Sequence, residues 1–274
     1  MSIESAALQL LAAYPHDVSF FAKNLKTGKT IAFEADKLMP TASCIKLPML
    51  VALYDKAERG EIDLTAPVVL EVKEQVGGSG VLKHLTAGAT LSLRDYAALM
   101  IILSDNTGTN VVADAVGIDF INAKMAELGL SQTTFKTRID FDAIGSDVRN
   151  LSESSVADFA ILLEGIAKGT LISESASAAI KDIMSRQHYL DLLPRLLPYN
   201  PYAGDLGGTV DLAVSGKTGF FPGFRADTII VDTADAQIIM AAFVYGDDLS
   251  FLPENAIAKF MGDLGLAAFT ELTA

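Results

Sequence analysis

Ser43 and Lys46 stand three residues apart in Ser43-Cys44-Ile45-Lys46. On a helix that spacing puts both side chains on one face, one turn apart. A serine at a helix N-terminus faces free N–H groups and the positive end of the helix dipole, which favour negative charge. A lysine beside it, desolvated and close to other cations, has its pKa lowered and can take the serine proton. The chemistry this predicts is nucleophilic, with Ser43 attacking and Lys46 as general base. Ser104-Asp105-Asn106 adds a second hydroxyl to relay a proton. Asn106 there can both donate to and accept from a substrate amide. Lys217-Thr218-Gly219 adds a positive charge for a substrate carboxylate.

Each motif also has an ordinary reading. Ser43 could simply cap a helix, and Ser104-Asp105-Asn106 or Lys217-Thr218-Gly219 could simply turn the chain. With 18 Ser and 14 Lys, random order gives about one S-x-x-K, so that motif alone is weak. The other two triplets are rare enough that their joint chance occurrence is below about 1%. Their order also fits: a helix start, a helix end and a strand.

The elements that must position them are legible in outline. Residues 3–14 read as an amphipathic helix. Val18–Ala22 and Thr30–Glu34 read as strands of an antiparallel hairpin around the turn residues 24–29. Cys44 to Gly60 carries apolar residues at helical spacing, and Pro48 is tolerable there only near the first turn. Gly77-Gly78-Ser79-Gly80 is a loop. Ser92 opens a helix through Leu103, with Asp95 completing a capping box. Asn106–Val116, Asn122–Leu128, Ser155–Lys168 and Glu174–Arg186 are further helices. Strands return at Leu212–Ser215, Asp227–Val231 and Gln237–Tyr245, and Asn255–Leu272 closes the chain as a helix. The sheet must therefore be built from both chain ends, because a lone hairpin buries too little.

The chain has 274 residues, 21 Lys and Arg against 34 Asp and Glu, and a formal charge of −13. This excess of acid argues against binding nucleic acid, which needs clustered Lys and Arg, and against an anionic membrane surface. One Cys, Cys44, excludes an intramolecular disulfide and a multi-Cys metal site. His16, His84 and His188 have no zinc-binding spacing. No metal or organic cofactor is implied, since the chemistry needs only side chains and water. The N-terminus lacks a basic segment and carries Glu4, unlike a signal peptide. The chain therefore reads as cytoplasmic as it stands, or as periplasmic or secreted if a leader has been removed.

With the three motifs in this order, the chain resembles the serine penicillin-recognising superfamily, and within it the class A β-lactamases. The resemblance runs over nearly all of the chain. It includes the hairpin before Ser43, Leu85-Thr86-Ala87-Gly88, Thr107-x-x-Asn110 and the final sheet and helix. It implies an α+β fold, a five-stranded antiparallel sheet flanked by helices plus an all-helical lobe. One domain over 1–274 would hold an α/β lobe (1–40 and 205–274) and an all-α lobe (41–204). It also implies roles: Ser43 is acylated, Lys46 is its base, Ser104 relays a proton and Asn106 contacts the substrate side-chain amide. Lys217 and Thr218 bind the substrate carboxylate. The backbone N–H groups of Ser43 and of Phe220, next to Gly219, form the oxyanion hole. The implied reaction is hydrolysis of an amide, β-lactam or ester through an acyl-enzyme. The alternatives are a D-alanyl peptidase, esterase or amidase of the same fold, and a penicillin-binding sensor without turnover. The partner is then a small molecule carrying a carboxylate.

One departure stands out. The family's deacylating Glu lies in an R-x-x-x-x-E-x-x-x-N stretch. Counting from Arg138 puts that position on Ala143, and no Glu occurs between Glu127 and Glu153. Asp142, one residue off and one methylene shorter, is the candidate for a weak deacylation base, its ordinary reading being a loop cap. Arg225, eight residues after Lys217, is a candidate for the substrate carboxylate if strand alternation turns it to the site. Arg138 reads as a loop anchor through an ion pair, Cys44 as a buried small hydrophobe, and residues 77–81 as an entrance wall.

Overall fold

The computed structural model describes residues 5–274, so residues 3 and 4 of the expected first helix lie outside the described part. The chain starts with α1 (Ala6–Ala13), capped by the Ser5 side chain. It continues through β1 (Val18–Asn24), β2 (Thr30–Phe33) and β3 (Met39–Pro40). A 3₁₀ turn (Ala42–Ile45) then leads into α2 (Lys46–Glu58). Next come β4 (Pro67–Val69), β5 (Thr90–Ser92), α3 (Leu93–Ile102), α4 (Asn106–Val116), α5 (Ile118–Glu127) and β6 (Thr134–Phe135). The order closes with α6 (Phe141–Ile144), β7 (Ser152–Ser154), α7 (Val156–Lys168), α8 (Glu174–Ser185), β8 (Leu212–Phe221), β9 (Phe224–Thr233), β10 (Gln237–Tyr245) and α9 (Ala256–Thr273).

The main sheet has five strands in the order β2-β1-β10-β9-β8, and every neighbouring pair is antiparallel. It joins the N-terminal hairpin to the C-terminal strands, as the sequence requires. β10 is apolar from Ile238 to Val244 because both faces are covered. Ile239, Ala241 and Phe243 pack into one core with α2, α7 and the other internal helices. Ile238, Met240, Ala242 and Val244 pack into a second core with Leu11 of α1 and Met261 and Leu264 of α9. Leu192, Leu193 and Leu197 join this second core, so chain from the expected helical lobe also covers the α1/α9 side of the sheet.

α2 runs through the middle of the first core. Residues 46–55 are buried on every side, so it is a central helix of the core. Pro48 is its third residue, where the missing N–H has no intrahelical partner to lose. The expected capping box forms on α3: Ser92 Oγ accepts from Asp95 N–H, and Asp95 Oδ2 accepts from Ser92 N–H. Two small sheets, β3-β7-β6 and β4-β5, escaped the sequence reading because strands of two or three residues carry no period. No helix among the described residues is long and apolar enough to cross a membrane.

Candidate active site

Ser43 sits in the 3₁₀ turn that feeds α2, half-buried between buried Ala42 and Cys44. It borders a cavity of about 770 Å³, together with Asn106 and Phe220. Two elements hold it there. Ala42 adopts a left-handed backbone at φ 44°, a conformation that costs about 1–3 kcal/mol and persists only where packing enforces it. β8 presses on the same turn: a Cβ on Gly219 would lie 2.7 Å from Thr41 O and 3.1 Å from Ser43 N. Only glycine permits that approach.

Lys46 is fully buried, and its Nζ lies 2.8 Å from Ser104 O, 2.8 Å from Asn106 Oδ1 and 3.1 Å from Ser104 Oγ. The Nζ donates to all three, to the two carbonyl oxygens and to the Ser104 hydroxyl. Burial, and then the charge of Lys217, hold Lys46 well below the ordinary lysine range. This is the state a general base requires. Ser104 itself has φ 53° in the link between α3 and α4, which turns both its carbonyl and its hydroxyl to Lys46. Lys217 is also fully buried and is pushed down to about 8 by desolvation.

Asp105 does structural work inside its motif. Its carboxylate accepts from Gly108 N–H, capping α4, and from Val81 and Leu82 N–H. Asn106 completes the attachment, with Nδ2 donating to Gly77 O and its own N–H donating to Ser79 O. The 77–82 loop is thereby tied to the motif, and Gly78 and Ser79 border the cavity. Gly80 has φ 100°, and a Cβ on it would strike the Asp105 carboxyl at 2.2 Å.

Strand alternation places the remaining candidates. Lys217 is paired with Thr228 and Gly219 with Ala226; Ala226 belongs to the first core, on the side of α2. Thr218 is paired with Asp227 and Phe220 with Arg225, and Arg225 is also paired with Val244 of the second core. Arg225 therefore takes the face of the sheet opposite Lys217. Its guanidinium donates to the carbonyls of Phe221, Phe224 and Ser250 and stacks over the rings of Phe220 and Phe251. It braces the chain around Ser250, and it does not border the Ser43 cavity. The Thr218 Oγ1 is buried without a hydrogen-bond partner in the protein.

Asp142 does not border the Ser43 cavity. It is exposed on α6, and Asp140, not Asp142, caps that helix. Asp142 borders a separate surface pocket with Lys73 and Arg138. What faces Ser43 from this loop is apolar: Ile139, Phe141 and Ile144 border the cavity. Asn110 fixes Ile139 there with a bond to each side of its backbone. Ile139, four positions before Ala143, is thus the residue that Asn110 holds at the cavity wall. Arg138 anchors the loop on Glu74 and Asp114, at 2.6 and 3.2 Å. Cys44 is buried, its thiol donates to Lys217 O, and desolvation pushes its pKa up.

These features meet in one family. The model of the β-lactamase enzyme family matches residues 2–272, and the chain belongs to that family. Among solved structures it is similar to a β-lactamase from Sphaerobacter thermophilus, 25% identical over 97% of this chain and 95% of that one, with a TM-score of 0.84. It is also similar to a variant of PBP-A solved as an acyl-enzyme complex with penicillin G, 23% identical over 97% of this chain and 94% of that one, TM-score 0.83. A curated relative is the β-lactamase regulatory protein BlaB of Streptomyces cacaoi, 24% identical over 58% of this chain and 48% of that protein. The chain spans about half the length of that relative.

Proposed function

We propose that this protein is a serine acyl-transfer enzyme that is acylated at Ser43 by β-lactams or by amides and esters of similar shape. Neutral Lys46 takes the Ser43 proton as Oγ bonds to the carbonyl carbon. The proton passes through Ser104 to the leaving nitrogen as the C–N bond breaks. The backbone N–H groups of Ser43 and Phe220 receive the oxyanion, and two such donors contribute several kcal/mol. Asn106 holds the substrate amide, and the buried charge of Lys217, next to Thr218 on β8, attracts the carboxylate. The observation that carries this reading is the buried Lys46 amine on Ser104 and Asn106.

A second reading, acylation without fast turnover, has its own support. The loop facing Ser43 presents Ile139, Phe141 and Ile144, none of which can activate the water that releases an acyl group. The similarity to a regulatory protein points the same way. Incubation with a chromogenic cephalosporin, followed by colour and by intact mass, separates the readings. A stoichiometric burst with a lasting Ser43 adduct supports the sensor-like protein, and sustained colour supports the hydrolase. No adduct on the wild-type protein would overturn both.

A further inference from the structure

We propose that Asp191 makes this cavity selective for substrates that carry a cationic group, which rests on the acyl-transfer reading above. Among the described residues that border the Ser43 cavity, Asp191 is the only charged one. Its Oδ1 is buried and has no hydrogen-bond partner in the protein. An unpaired buried carboxylate oxygen is costly, and a cation in the cavity offsets that cost through its charge.

Of the nearby cations, only the charge of Arg225 acts on Asp191, and its N–H groups go elsewhere. Lys46 and Lys217 are fully buried and do not border the cavity. The guanidinium of Arg225 is held by three carbonyls. Asp191 borders the cavity with Tyr189 and Phe220, whose rings meet edge to face at 5.7 Å. Phe220 lies on β8, the strand that also carries Lys217 and Thr218. Ser43, Phe220 and Asp191 border one cavity, so a substrate placed for attack by Ser43 lies in the space that the Asp191 carboxylate faces. The chemical class on this side is cationic, set by Asp191 as the one charged residue of the described lining.

The test uses two cephalosporins that differ at C3, one with a pyridinium-methyl and one with an uncharged acetoxymethyl group. The second-order rate of Ser43 adduct formation is measured for each, and their ratio cancels general effects on folding or acylation. In Asp191→Asn the ratio of cationic to neutral rates falls about three- to tenfold, whereas Asp191→Glu retains the preference. In the wild-type protein the same ratio falls as salt rises, because ions screen a partly exposed pair. This arm reads the proposal even if the Asn variant fails to fold. Dissociation constants for the same two compounds on Ser43→Ala read the preference without chemistry. Absence of any adduct on the wild-type protein, with the charge preference kept in those constants, would sink acyl transfer and leave the Asp191 assignment standing. An unchanged ratio in Asp191→Asn, or a wild-type ratio indifferent to salt, overturns it.

Discussion

Asn110 grips Ile139 on both sides: its Nδ2 donates to Ile139 O at 3.0 Å, and Ile139 N–H donates to its Oδ1 at 2.8 Å. Both residues are buried. The pair ties α4, which begins with Asn106, to the loop that walls the cavity. Asn110→Ala strands two buried backbone groups, and each costs about 1–3 kcal/mol. Urea unfolding should show a loss of about 2–4 kcal/mol. Proteolysis should also find the 137–145 segment first. Equal stability in the variant would mean that the clamp is not what holds the loop.

The same clamp makes Ile139 a defined position for a new side chain. Ile139→Glu places a carboxylate on the wall that borders Ser43, with the backbone still held by Asn110. A carboxylate there can orient and deprotonate water for attack on the acyl group, work worth about 10²–10⁴-fold. Penicillin turnover should rise at least tenfold by that estimate, with some loss of stability from burying a charge. Asp142→Glu, on the exposed side of α6, should leave turnover where it was. Equal rates for the two variants would show that the wall is not where deacylation is limited.

Lys217 acts on Lys46 at a distance. Its charge is the second cause, after burial, of the lowered Lys46 pKa. The proposed mechanism needs Lys46 neutral, so the acylation rate should rise with pH through that pKa and then level off. Removing the Lys217 charge raises the Lys46 pKa toward the ordinary lysine value. The acid limb of the acylation rate in Lys217→Met should therefore move to higher pH, apart from any fall in the plateau. A lower plateau with an unmoved limb would confine Lys217 to substrate binding.

Gly219 tests the fit of β8 against the nucleophile. A methyl group there meets Thr41 O at 2.7 Å and Ser43 N at 3.1 Å, so strand and turn must separate by several tenths of an ångström. The Ser43 and Phe220 N–H groups then leave their common alignment on the oxyanion. Losing one such donor typically lowers the rate by 10²–10³-fold. Gly219→Ala should cut acylation by about that factor while circular dichroism stays native-like. Full activity in this variant would rule out the Phe220 N–H as part of the oxyanion hole.

The legibility of the sequence follows the range of the forces involved. The β1–β2 hairpin, the Ser92–Asp95 capping box and all of β10 are local patterns, and the structure places them close to where the residues predict. β8 was legible only as far as Ser215, because its second half carries Gly216, Lys217, Thr218 and Gly219. Those residues are paired along β9 although nothing apolar marks them. Their polarity serves the site, and there local pattern and fold diverge. Ile139 and the side taken by Arg225 were not legible for another reason. The first depends on a hydrogen bond to Asn110 on another element, and the second on the registers of β9 with β8 and β10.

Asp227 offers the last check, on the charge beneath the site. Desolvation raises its pKa to about 8, with the neighbouring Asp191 adding to the rise and Lys217 and the Leu193 and Thr228 N–H groups opposing it. The unfolded chain releases this proton near the ordinary value of 3.8, while the folded protein keeps it to about 8. Between those values the folded state holds the extra proton, so raising the pH favours unfolding. The contribution is complete below the lower value and gone above the upper one. Asp227→Asn cannot titrate, so the stability difference between variant and wild type should shift in the variant's favour from pH 5 to pH 8.5. Urea midpoints at those two pH values measure this directly. Parallel pH profiles for the two proteins would show that Asp227 ionises in the folded state as freely as in the unfolded chain.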